Sequence, residues 1–245
     1  MNACAFAIRT AYLDAARDRV ASLTRFYAPL GPAAPQEWWF PQAQTLIGVV
    51  AFGSGELLVR EDSDAVLVGW GGPTPAGLRS PRAVLAAGDG VFRDLDLTVA
   101  LLAAGGDRAR VVGAASGPVT LYAAESGDTV VWSTHAAAAS LLARGELDID
   151  WSAVPEYLAA DSVGGIDTHL RGVRALPSAS LTEVQGGHAR ERSYWPAHER
   201  WQLHGEADAY LRGTEALLKG LERRLAGIDE VHCALTAGST AASSR

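Results

Sequence analysis

The sequence predicts an α+β fold of antiparallel strands and covering helices, and three observations carry that expectation. Short apolar, β-branched runs alternate with turns of Gly, Ser and Asp; Ala- and Leu-rich stretches repeat at helical spacing; and a helix, a strand and a small-residue loop follow one another near the C-terminus. In chain order, LIGVVAF (Leu46–Phe52), ELLVR (56–60) and AVLVGW (Ala65–Trp70) read as antiparallel strands between turn residues. Leu95, Val99 and Leu102 then recur at helical spacing ahead of Gly105-Gly106, which predicts a helix over residues 94–104. The runs RVVGAASG, VTLYAAE and DTVVWST continue as a meander, with Gly127-Asp128 as a hairpin turn. Residues 135–143 and 151–160 predict two short helices, the second with Val154, Tyr157 and Leu158 on one face, and each is expected to cover a sheet.

Further on, Ala207, Leu211, Thr214, Leu218, Leu221 and Leu225 step by four and three residues, one apolar stripe on a helix that Gly227 ends. VHCAL then reads as a strand and TAGSTAASSR as a loop of small residues, the order in which an α/β nucleotide-binding unit begins. Only the entrance of such a unit is expected here. A composition shift over residues 199–205 places a boundary between a domain of residues 1–200 and this second one of residues 201–245.

Composition narrows the function classes. With 48% hydrophobic and 20% charged residues the chain can bury a core, and its apolar runs are too short to span a bilayer. The net charge of −7 opposes attraction to nucleic acid or anionic lipid. The first residues lack the basic start and continuous apolar run of a secretory signal, so a cytoplasmic protein is expected. Two cysteines, Cys4 and Cys233, supply neither a disulfide framework nor a zinc site.

Function then rests on local sites. Backbone N–H groups of a Gly-containing loop after a strand cradle phosphate, which singles out Thr236, Gly238 and Ser239; the alternative is a frayed tail. Cys4 is a candidate thiol nucleophile if processing makes it the first residue, and otherwise a buried structural cysteine, as Cys233 reads within its strand. The six histidines, at 135, 169, 188, 198, 204 and 232, show no metal-ligand spacing. Trp38-Trp39-Phe40 either stacks on a ligand or anchors a core, and Asp89 in Gly-Asp-Gly either orients a ligand amine or makes a turn. Gly71 and Gly72 offer backbone N–H groups to a ligand.

The order of several spaced residues resembles the asparagine synthetase family, with its β-lactam synthetase and lasso-peptide cyclase relatives. Gly117, Pro118, Leu121 and Tyr122, then Trp132, Ser133, Thr134 and His135, stand where that family has a Gly, a Pro-x-x-Tyr-like pair and a strand ending in Ala-Ser-Glu. Thr168, Gly172-Val173, Leu176-Pro177-Ser178-Ala179 and Tyr194-Trp195 follow its Thr, Gly-Val, Leu-Pro-Pro-Gly and Tyr-Trp series. Thr236-Ala237-Gly238-Ser239-Thr240-Ala241 corresponds to its pyrophosphate loop Ser-Gly-Gly-x-Asp-Ser.

The resemblance implies an N-terminal-nucleophile-hydrolase-like αββα sandwich of the glutamine-amidotransferase type, followed by the truncated start of an α/β ATP-pyrophosphatase domain. It implies ATP and Mg²⁺ as cofactors and amide formation through an acyl-adenylate. The departures bear on activity. Asn2 stands where the family's glutaminase has its N-terminal Cys, no Asn-Gly pair supplies a side-chain oxyanion donor, and Thr240 stands where the family has the Asp of its pyrophosphate loop. The β-lactam synthetases and lasso cyclases lack the glutaminase nucleophile too, and are the nearer likeness. The expectation is the N-terminal part of an ATP-dependent amide-forming ligase, inactive alone. A scaffold for a separately encoded synthetase half, a homo-oligomer, and a residual amidotransferase using Cys4 are the alternatives.

Overall fold

A computed structural model describes residues 4–27, 35–41, 46–52, 57–71, 74–94, 97, 99–116, 119–160, 165–195, 214–215 and 218–222. The chain divides into two units, Met1–Gln202 and Leu203–Arg245.

In the first unit the described strands are β1 (Cys4–Thr10), β2 (Gln36–Pro41), β3 (Leu46–Phe52), β4 (Leu57–Glu61), β5 (Ala65–Trp70), β6 (Ala100–Gly105), β7 (Arg108–Val112), β8 (Tyr122–Ser126), β9 (Thr129–Ser133), β10 (Val173–Ala175), β11 (Ser180–Gln185) and β12 (His188–Ser193). They form two six-stranded sheets, ordered β10-β8-β9-β1-β3-β2 and β12-β11-β7-β6-β5-β4, with antiparallel neighbours throughout. The helices are α1 (Leu13–Tyr27), α2 (Pro81–Ala86), α3 (Asp89–Asp94), α4 (Ala136–Arg144) and α5 (Val154–Ala160).

Side-chain alternation decides how these parts stack. Ile47, Val49 and Ala51 of β3 meet Val66 and Val68 of β5 and Ala100, Leu102 and Ala104 of β6 in one core between the sheets. Their odd-numbered and even-numbered neighbours turn outward. Val50 and Phe52 pack with Ile8 against Val20 and Leu23 of α1 and Leu142 of α4, whereas Leu67, Leu101 and Ala103 pack against Val84 of α2 and Phe92 of α3. Both sheets are therefore covered outside by helices, giving an α+β sandwich of four layers.

Local chemistry fixes the helix ends. Ser80 accepts a hydrogen bond from the Ala83 N–H at 3.2 Å, and Pro81 occupies the first turn of α2, where no N–H is needed. Gly145 closes α4 at φ 86°, its N–H bonded to the Leu141 carbonyl at 2.8 Å, and Arg19 of α1 donates to the Leu142 and Ala143 carbonyls at 2.9 and 2.7 Å.

The helix expected over 94–104 is absent. Helix α3 ends at Asp94 and Ala100–Gly105 is the strand β6, because a central strand buried on both faces reads as a continuous apolar run that periodicity cannot tell from a helix. Helix α5 forms but buries no residue: Leu158 is 78% exposed and Tyr157 41%, so it covers neither sheet. The aromatic run resolves as an anchor. Trp38 and Phe40 pack partly buried against the core between the sheets and Trp39 against the outer one, over Gly48, where a Cβ would meet the Trp39 ring at 2.4 Å. In the second unit residues 214–215 and 218–222 are helical and Leu218 and Leu221 are exposed, while Cys233 and its expected strand lie outside the described residues. No described helix is long and apolar enough to cross a membrane.

Candidate functional site

Cys4 opens β1, opposite Phe52 of β3, and two residues later Phe6 lies opposite Ser133, the last residue of β9. The start of β1 and the end of β9 thus share one end of their sheet. The chain leaves β9 through Ser133, Thr134 and His135, the Ser133 hydroxyl accepting the His135 N–H at 3.0 Å. From the other sheet, Trp70 at the end of β5 meets the His135 ring edge-on with centroids 6.2 Å apart. Gly71 follows at φ 97°, a left-handed conformation natural to glycine. Burial holds the His135 imidazole below its ordinary pKa, so the ring is neutral at pH 7. This corner brings the two sheets together around a neutral imidazole and a buried serine hydroxyl, with Gly71 at its edge.

Two clefts, of about 570 and 520 Å³, lie along β8 and β10 and share Asp167 and Thr168. The first is also lined by Arg144, Asp150 and Arg174, and the second by Tyr122, Tyr157 and His169. The Tyr157 and His169 rings meet at a 45° tilt, their centroids 5.4 Å apart. The Thr168 hydroxyl lies 3.0 and 2.8 Å from the carbonyls of Leu170 and Val173 and accepts the Leu170 N–H at 3.1 Å, so it braces the bend entering β10. Asp150 is held below the usual carboxylate range by hydrogen bonds from Ser152.

The sequence-derived candidates fare differently. Asp89 is ion-paired: its carboxylate takes a fork from Arg192 at 3.1 and 2.8 Å, and that pairing lowers its pKa. Arg192 also reaches Glu183 at 2.5 Å, and Glu183 reaches buried Arg110 at 2.5 Å. Arg110 in turn donates to the Val84 and Ala87 carbonyls at the end of α2. Arg110, Glu183 and Arg192 carry no local motif; the one signal in the sequence is Arg110 between Ala109 and the apolar Val111-Val112. Cys4 and Gly71 belong to the elements that meet at the corner. Gly72, Thr236, Gly238, Ser239 and Thr240 lie outside the described residues, and with them every residue that the resemblance assigns to ATP and Mg²⁺. Among the described residues no group of three or more His, Cys, Asp or Glu is placed to hold a metal ion.

Two further residues brace the fold. Ala179 stands at φ 60°, its carbonyl accepts the Tyr194 N–H at 2.9 Å, and the Tyr194 hydroxyl donates to the Gly113 carbonyl at 2.9 Å. No protein-family model and no curated protein matches the chain.

Proposed function

We propose that the first unit is a glutamine-amidotransferase-like domain of an asparagine-synthetase-type ligase, one that no longer hydrolyses glutamine and supports a synthetase half. That half would adenylate a carboxylate with ATP and Mg²⁺ and pass it to an amine. The observation that carries this reading is the face-to-face pair of antiparallel sheets with helices on both outer faces, β1 lying inside its sheet. An N-terminal nucleophile in such a domain works from the start of that strand. At the corner described above Trp70 precedes Gly71, and its indole, packed on His135, offers no carboxamide to an oxyanion.

Cys4 favours a second reading, a residual amidotransferase, because it is the first residue of β1. One experiment decides between them: the purified chain is incubated with glutamine and assayed for glutamate, then treated with a diazoketone glutamine analogue and weighed intact. The structural reading expects glutamate release no faster than from Cys4→Ala, and no adduct. Cys4-dependent release, with an adduct on a chain trimmed to begin at Cys4, establishes the residual amidotransferase instead.

A further inference from the structure

Eleven large hydrophobic side chains are exposed among the described residues, and six of them, Leu147, Ile149, Trp151, Tyr157, Leu158 and Ile166, lie within residues 147–166. Ile149, Tyr157 and Ile166 converge on the segment around His169, and Trp151 and Leu158 adjoin them in the chain. Ile149 bridges to Leu170, the Asp150 N–H bonds the His169 carbonyl at 2.9 Å, the Tyr157 ring meets the His169 ring at a tilt, and Tyr157 and Ile166 line the same cleft. A patch of this kind on a folded domain marks an interaction site.

Its charge selects the occupant. Residues 144–174 hold six carboxylate side chains against three arginines and no Lys, a net negative stretch in a chain of net charge −7. The 570 Å³ cleft beside the patch is lined by Glu125, Asp150, Glu156 and Asp167 against Arg144 and Arg174, so carboxylates predominate in a recess with room for a long cationic side chain. We propose that this face binds a basic amphipathic segment of a protein partner, its apolar residues lying on Trp151 and Leu158 and a Lys or Arg entering the cleft between Asp150 and Asp167. The inference stands apart from the ligase reading, since it uses none of the corner residues.

The test uses two dye-labelled synthetic helical peptides with the same leucine face, one with lysines on its polar face and one with glutamates, titrated with the full chain and followed by anisotropy. The lysine peptide is expected to bind, about tenfold more weakly on raising salt from roughly 0.05 to roughly 0.5 M, and the glutamate peptide not to bind. The double substitution Trp151→Ser/Leu158→Ser should weaken binding at least about tenfold while the melting curve stays in place, since both side chains are exposed. Asp150→Asn/Asp167→Asn should weaken it without touching the apolar face. No binding, or equal binding of the two peptides, overturns the proposal. So does a concentration-dependent dimer abolished by the serine pair, which would assign the face to a second copy, or preference for anionic vesicles over the peptide.

Discussion

Gly172 shows how one residue carries two separate constraints. Its backbone stands at φ 65°, and a Cβ there would lie 1.8 Å from Nη2 of Arg144. The left-handed conformation costs an L side chain about 1–2 kcal/mol, and the arginine must also move. Gly172→Ala is therefore expected to destabilise the chain by about 2 kcal/mol in urea unfolding. In Gly172→Ala/Arg144→Ala the collision is gone and only the backbone strain remains, so the two changes should be non-additive. Strict additivity would mean that the guanidinium moves aside freely. Ala179 faces the same backbone demand at φ 60° and is fully buried. Ala179→Val adds both β-branching and volume there, and should cost more than about 2 kcal/mol by the same measurement.

Single elements are held in place by pairs that are remote in sequence. The chain Arg110–Glu183–Arg192–Asp89 ties β7, β11, β12 and α3 together, and Asp89 and Arg192 are 103 positions apart. For Glu183, burial pushes the carboxyl pKa up, but hydrogen bonds from Arg192 and Arg110 outweigh it and leave the group below its ordinary value. Asp89 is lowered by Arg192. A carboxylate whose folded pKa is depressed stabilises the fold above its unfolded pKa, and that stability is lost as pH falls through about 4 and below. Glu183→Gln, which leaves Arg110 buried without its anionic partner, should cost about 3 kcal/mol at pH 7. The gap from wild type should narrow as unfolding is repeated below pH 4; a constant gap would assign the cost to packing. Such pairings explain what the sequence could not display. Strands with a polar turn between them, such as β8 and β9 around Gly127-Asp128, are legible because turn and alternation are local. Helix α1 is not legible, since its buried stripe is only Ala16, Val20 and Leu23 in fifteen residues, and β6 reads as helical because both its faces are buried. Asp89 was visible as an acid in a turn, and its role waited on an arginine that only the fold brings to it.

At the scale of the whole molecule, two tryptophans separate the surface that holds the fold from the surface left for a partner. Trp132 is 2% exposed and packs between the two sheets with Val68, Leu102 and Val111, whereas Trp151 is 71% exposed beside α5. Trp132→Ala empties the layer that both sheets share, and should cost about 3–5 kcal/mol. Trp151→Ala removes a largely exposed side chain and should stay within about 0.5 kcal/mol of wild type. The sharper expectation concerns cooperativity. Because one apolar layer joins the sheets, the variant's far-UV and near-UV transitions in urea should remain coincident, merely shifted to lower denaturant. If the near-UV signal falls first while far-UV signal persists, the sheets are held by their own helices more than by each other, and the layer filled by Trp132 is a contact between two independently stable halves.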